Sequence, residues 1–379
     1  MADSSRRPAA PVITRLDGGL ARITLNRPDA LHALNTDMCR AMLEALLAWR
    51  EDDMVEAVLI DHAPGTRGFC AGGDIRMLSE AALSPSALEA AKDFFFTEYR
   101  MNWLLKEFGK PTIAVMDGVG MGGGVGLSAP CRFRVATERT TYAMPESAIG
   151  LFPDVGGGWW LPRLPGCSGL WLALTGSRLK AADALRLGIA THYVESARLP
   201  ELETGLLALA PYAPAAGAPL EGGLDAAAVA DLLDGLSGDP GPAPVEAHLP
   251  TIDACFSKGS VEEILAALRA DGSEWALKQA DLMDERSPQA MKVAFRQLHA
   301  GARLPSFADN MAMEYRLATR VVVRPDFREG VRAVLVDKDG KANWSPPTLE
   351  AVDDRLLDGL FARLPTDMEW TPPPGPDRG

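Results

Sequence analysis

This 379-residue sequence offers little for the commonest site chemistries to be built on. Its five cysteines (Cys39, Cys70, Cys131, Cys167, Cys255) are scattered, odd in number and without a CxxC pair, so neither a disulfide framework nor a thiolate zinc site is indicated. They read as small buried residues in a reducing compartment. The five histidines (His32, His62, His192, His248, His299) lie far apart, with no HxxxH or HxH spacing, and no metal is expected. No apolar run approaches the about 18 residues that a membrane span needs. No apolar segment backs the arginines of MADSSRRPAAP as in a secretory leader; a transit peptide is the alternative, but the leader is short, and the cytoplasm is the expected location. Basic charge is short too: 38 Lys and Arg against 51 Asp and Glu give a net charge of −13, which argues against nucleic acid as a partner. A GxSxG elbow is missing, the nearest strings being GLSAP and GCSG, and no Cys–His pairing is suggested. A hydrolase built on this chain has to work through a carboxylate and backbone amides.

What is there suits a folded enzyme. Hydrophobic content of 47% and charged content of 23% are ordinary for a soluble one, and the length can bury a sizeable core. VITRLDGGLARITLN (residues 12–26) predicts two strands turning at Asp17-Gly18-Gly19. Asn35 or Thr36 caps a helix whose Met38, Met42, Leu43, Leu46 and Leu47 recur at helical spacing. EAVLI (56–60) reads as a strand buried on both faces. Residues 84–108 read as helix, with Phe95, Tyr99, Trp103 and Leu104 toward the core and Glu98 on a different face. Residues 196–250 turn rich in Ala, Pro and Gly and read as a flexible surface insertion or linker. Helical periodicity returns over 251–365, with a capping box at Ser260 and Glu263. The last dozen residues, ending WTPPPGPDRG, are expected to be disordered.

The chemistry concentrates between Lys110 and Gly158, which reads as strand, glycine-rich loop, short helix, strand, then a loop with two acids, Glu146 and Asp154. Gly118 to Gly123 formally matches GxGxxG, but only about eight residues, Pro130 among them, separate it from the strand RFRVAT. That is too short for a dinucleotide-fold crossover helix. A phosphate loop fails because no Lys-Ser/Thr follows. Taken alone, these glycines could simply let a helix pack close to a sheet. A second glycine loop, Cys70-Ala71-Gly72-Gly73-Asp74, tips the balance. Each loop stands where a helix begins and presents free N–H groups, and two such groups converging on one carbonyl oxygen make an oxyanion hole. Glu146 follows Met144-Pro145, and Asp154 follows Phe152-Pro153 and precedes three glycines after Val155. Carboxylates in such surroundings are not on a solvated helix face; the plain alternative is that one of them, Asp154 above all, caps a helix.

NRPDALHALN, GFCAGGDI, KPTIAVMDGVGMGGGVGLS and MPESAIGLFPDVGGG together resemble the crotonase (enoyl-CoA hydratase/isomerase) superfamily, and within it the 3-hydroxyisobutyryl-CoA hydrolase branch. LTGSRLKAADALRLGIATHYV, SPQAMKVAFRQL and FREGVRAVLVDKD extend the resemblance to roughly residues 12–345, without a clear match in the Ala/Pro-rich part. It implies an α/β fold, a spiral of ββα turns over 12–195, with a helical C-terminal region (251–365) covering the site. It places the oxyanion amides on Gly73 and Gly123, the backbone that holds the adenine of coenzyme A near Ala71, and substrate contacts on Glu98, Gly123, Glu146 and Asp154. Glu146 then either activates water or attacks the thioester, and Asp154 orients a 3-hydroxyl or assists the leaving thiolate. The implied reaction is hydrolysis of 3-hydroxyisobutyryl-CoA in valine breakdown, with no cofactor beyond the coenzyme A of the substrate. One departure is informative: superfamily hydratases carry Glu three residues after the middle glycine of GGG, and here that residue is Gly126. The alternatives are an enoyl-CoA hydratase or isomerase on the same scaffold, and a silent binding protein. A homo-oligomer is compatible with the family, though the C-terminal region and the insertion are placed to block it.

Overall fold

The computed structural model describes residues 10–210 and 224–375. In chain order it begins β1 (Val12–Asp17), β2 (Leu20–Leu25), α1 (Thr36–Glu51), β3 (Ala57–His62), β4 (Gly68–Cys70), α2 (Ile75–Leu78) and α3 (Pro85–Lys106). It continues β5 (Thr112–Met116), β6 (Val119–Met121), α4 (Gly123–Ser128), β7 (Phe133–Ala136), β8 (Thr141–Ala143), α5 (Gly157–Trp160), α6 (Ser168–Thr175), α7 (Ala181–Arg186) and β9 (His192–Tyr193). The hairpin closes at Gly18-Gly19, and the Asn35 side chain accepts the Met38 N–H to cap α1, as the sequence predicts.

Two sheets stack into a spiral. The large one runs β1-β2-β3-β5-β7-β9, parallel except for the opening hairpin; the small one runs β4-β6-β8, all parallel. After the opening hairpin and α1, each turn passes from a large-sheet strand (β3, β5, β7) to a small-sheet strand (β4, β6, β8) and then to a helix or helical turn. The sequence predicts a glycine-rich loop leading into a helix over Gly118–Gly126, and β6 lies within it; three residues with glycine at their centre carry no strand periodicity. That missed sheet matters most. Its strands lie in register, Cys70 beside Gly120 beside Tyr142, so the segments leaving their C-terminal ends emerge side by side.

The next elements are α8 (Leu199–Leu209) and α9 (Ala226–Leu236). They correct the reading of 196–250 as a flexible insertion: Leu202, Leu206, Val229 and Leu233 are fully buried or nearly so. They pack against Leu20, Leu59, Ile113, Val115 and Phe133, which belong to the outer face of the large sheet. This is why β3 is buried on both faces: Val58 and Ile60 join the main core and Ala57 and Leu59 reach toward these helices. The flanking PYAPAAGAPLEGG (211–223) lies outside the described residues.

The C-terminal helices are α10 (Leu249–Phe256), α11 (Val261–Asp271), α12 (Glu274–Asp284), α13 (Pro288–Gly301), α14 (Phe307–Val321), α15 (Pro325–Val331) and α16 (Asp354–Phe361). At the start of α11, Ser260 accepts the Glu263 N–H, but Glu263 reaches the Gly259 N–H rather than that of Ser260, so the box is displaced by one residue. Helix α13 packs on α5, and α14 packs on both α5 and α3, which brings this region over the acid-bearing loop. The expected tail disorder is corrected for residues 370–375: Trp370 is buried, its indole N–H donates to the Phe96 carbonyl, and Arg100 bonds Thr371.

Candidate active site

The site follows from the small sheet. Chains leaving neighbouring parallel strands start about 4.8 Å apart, so Ala71–Gly73 after β4, Gly122–Gly123 after β6 and Glu146 after β8 meet without any long excursion. Contact is close enough that a Cβ built on Gly124 falls 2.3 Å from the Cys70 carbonyl oxygen, which leaves no substitute for glycine there. Gly123 opens α4, and Gly73 lies two residues before α2. Neither N–H has a hydrogen-bond partner among the described residues.

A small cavity of about 70 Å³ is lined by Ala71, Gly73, Glu98, Gly123, Glu146 and Asp154, so every residue singled out from the sequence comes to one place. Phe94, Phe95, Leu78 and Leu151 close its apolar walls. A larger cavity, about 650 Å³ and lined by Lys110, Arg132 and Arg134, includes none of these residues. Volume is a poor guide here, because free amides and carboxylates converge only in the small one. Among the described residues, no group of three His, Cys, Asp or Glu side chains is placed to hold a metal ion.

The carboxylates are buried together. Glu146 begins a 3-10 turn (Glu146–Ile149) and is 4% exposed; Glu98 is 1% and Asp154 6% exposed. Glu98 lies beside Phe94, Met101, Asn102 and Leu105 on a buried stripe of α3, next to the one bearing Phe95 and Tyr99. Glu98 Oε1 and Glu146 Oε2 have no partner among the described residues. Burial, and then the charge of Asp154, push both glutamates well above the ordinary carboxylate range. Burial likewise lifts Asp154 to about 7, against the bond that its Oδ2 accepts from the Tyr99 O–H at 2.9 Å. Asp154, so shifted, is suited to proton transfer near neutral pH.

Asp154 does not cap α5 with its side chain. That task falls to a residue the sequence reading passed over, Glu314 of α14, whose carboxylate accepts the N–H groups of Gly156 at 2.7 Å and Gly158 at 2.9 Å. A signal existed: Phe307, Met311, Glu314 and Ala318 recur at helical spacing as buried residues, which puts an acid on the apolar stripe. The sequence places Tyr99 in the core; its ring lies there, yet its hydroxyl belongs to the site. Gly126 is walled off as well. A Cβ there would sit 2.7 Å from Val155 Cβ and 2.8 Å from Asn102 Nδ2, so no second acid can be built at this position without displacing both.

Residues 20–361 match the enoyl-CoA hydratase/isomerase family model. A 3-hydroxyisobutyryl-CoA hydrolase, mitochondrial, of Xenopus tropicalis is 46% identical over 347 residues, covering 90% of this chain and 86% of the relative. The protein of that name from Homo sapiens is 42% identical over 357 residues, covering 94% and 89%. Among solved structures, a carnitinyl-CoA dehydratase from Mycobacterium thermoresistibile superposes with a TM-score of 0.85 at 37% identity, covering 95% of this chain and 98% of that one. An enoyl-CoA hydratase from Rhodobacter sphaeroides 2.4.1 gives 0.82 at 35%, covering 96% and 100%.

Proposed function

The chain belongs to the enoyl-CoA hydratase/isomerase family, and from that premise we propose that it is a thioester hydrolase that converts 3-hydroxyisobutyryl-CoA and water to 3-hydroxyisobutyrate and coenzyme A. One observation carries the reading: the Gly73 and Gly123 amides and Glu146 Oε2, none of them with a hydrogen-bond partner among the described residues, share one cavity with Asp154. The thioester carbonyl oxygen accepts from the two N–H groups, which stabilise the negative charge that grows on it as the carbonyl is attacked. One such donor contributes roughly 2.7–4 kcal/mol. Glu146 removes a proton from water as it attacks, or attacks itself to give a mixed anhydride that water opens. Both routes break the C–S bond, release coenzyme A as the thiol and leave the acid. Asp154, held by Tyr99, faces the acyl group and serves its 3-hydroxyl or the departing sulfur. The reading calls for no cofactor beyond the coenzyme A that the substrate carries.

The two structural neighbours are named as a dehydratase and a hydratase, which favours a hydratase as the second reading. Gly126 speaks against it. Hydration delivers hydroxyl and proton to adjacent carbons with two carboxylates, and the place of the second is filled by Val155 and Asn102. The closer relatives by sequence carry the hydrolase name. Thiol release across a panel of acyl-CoAs tests the assignment: the 3-hydroxyisobutyryl thioester is expected to be cleaved fastest, and no cleavage of any acyl-CoA would contradict it. For the compartment, we keep the cytoplasm as the proposal, on five free cysteines that suit a reducing environment. The relatives named above are mitochondrial, and fractionation of expressing cells distinguishes the two.

A further inference from the structure

The loop that carries Asp154 is held by parts of the chain far from it in sequence. Gln297 of α13 donates to the Pro153 carbonyl at 2.7 Å, just before Asp154. Glu314 of α14 accepts the Gly156 and Gly158 N–H groups, just after it. The two are themselves joined, Gln297 Nε2 to Glu314 Oε1 at 3.1 Å, and Asn310 Nδ2 adds a bond to the same oxygen at 2.8 Å. Between these grips the backbone takes two successive left-handed residues, Val155 at φ 50° and Gly156 at φ 93°. A β-branched residue avoids that region unless its surroundings impose it. Here the imposed conformation turns Asp154 inward and seats Val155 against Gly126.

We propose that Glu314, with Gln297, is a positioning residue for the reaction: a bracket from the C-terminal helices that fixes the 153–158 loop on both sides of Asp154 and so sets the aspartate in the cavity. This rests on the hydrolytic reading above. The chemistry of the bracket explains why position 314 is an acid. Glu314 is fully buried and faces four N–H donors, which an acceptor-only carboxylate satisfies and an amide does not, since its NH₂ would meet other donors. Burial pushes Glu314 up to about 8, while the bonds from Gly156, Asn310 and Gly158 draw it down toward the ionised form. Its charge also bears on the site. Glu98 and Tyr99 of α3, Glu146 of the 3-10 turn and Asp154 of the loop share this interior, and α13 brings only the neutral Gln297 to the bracket. The Glu314 charge opposes ionisation of Glu146 and Tyr99.

The test compares Glu314→Gln with the wild-type full-length chain in thiol release from 3-hydroxyisobutyryl-CoA, across pH. Misplacing a reacting group by about 1 Å costs on the order of 10²-fold. Glu314→Gln is therefore expected to lose about that much in kcat at nearly unchanged KM, and the rising limb of its kcat/KM profile is expected to move to lower pH. A residue that only holds the fold would lower the melting temperature and leave kcat and the limb of the folded fraction in place; that result overturns the proposal. If Glu314→Gln does not fold, Gln297→Leu loosens the other side of the bracket, with kcat expected to fall at least about tenfold and an unchanged kcat overturning the proposal. Failure of the hydrolytic reading shows separately, as a wild-type chain that releases no thiol. In that event, hydrogen exchange still reads the bracket: Gly156 and Gly158 amides protected in the wild type and exposed in Glu314→Gln support it, and equal exchange in both overturns it.

Discussion

Replacing Glu146 by Gln keeps the shape of the side chain and removes its capacity as base or nucleophile. The expected loss in kcat is at least about 10²-fold, the lower end for general-base catalysis; near-normal turnover would remove Glu146 from its role. The same substitution bears on stability. A carboxyl group lifted by burial holds its proton in the folded state after the unfolded chain has released it, so its contribution to stability is lost as pH rises. For Asp154 the window runs from the ordinary 3.8 to about 7. Thermal scans of the wild-type chain should therefore show Asp154's contribution to the melting temperature declining over that range. Glu146→Gln, which discards one buried acid, should melt no lower than wild type at pH 8; a clearly lower value would mean that Glu146 is stabilising when ionised. Asp154→Asn is a test of role: if the aspartate holds the 3-hydroxyl, kcat/KM falls more for 3-hydroxyacyl than for plain acyl thioesters, and an equal fall favours service to the leaving sulfur.

At the scale of elements, the tail and the two helices over the sheet make the sharpest claims. Trp370 is buried against α3, the helix that carries Glu98 and Tyr99. Trp370→Ala should destabilise by about 3–5 kcal/mol, as truncation of a buried aromatic does, measured by chemical denaturation; a loss within experimental error would mean that the tail is not docked in solution. Leu233→Ala in α9 should cost about 2–5 kcal/mol and leave kcat unchanged, because this helix packs on the face of the sheet away from the amides. What was legible in the sequence divides along the same line. Strands such as Ala57–His62 and helices such as Thr36–Glu51 carry a strong local pattern, and the glycine loops and the two acids announce themselves by their neighbours. The small sheet did not, because strands of three residues show no alternation and are held by their partners. Nor did α8, whose context is rich in Ala and Pro and suggests a linker; its leucines become core only once the outer face of the sheet exists. Glu314 belongs to the same class: its four donors come from three separate segments, which no local pattern brings together.

Over the whole molecule, the spiral delivers three loops to one edge and the C-terminal helices close over them, so the site draws on residues from Ala71 to Glu314. The interior that results is acidic: Glu98, Glu146, Asp154 and Glu314 are all buried and all raised by desolvation. Because catalysis needs Glu146 ionised and burial holds it well above the ordinary carboxylate range, kcat/KM should rise with pH through its titration; a rate that falls steadily as pH rises from the ordinary carboxylate range would contradict the assignment of Glu146. The central claim is that this cluster, with Gly126 where a hydratase has its second acid, hydrolyses a thioester and does not hydrate a double bond. Its most direct test sets two kcat/KM values side by side on one preparation of the purified chain: thiol release from 3-hydroxyisobutyryl-CoA and hydration of crotonyl-CoA. Hydrolysis is predicted to exceed hydration by at least about 10³, equivalent to roughly 4 kcal/mol of transition-state stabilisation, whereas comparable values for the two reactions would contradict the account.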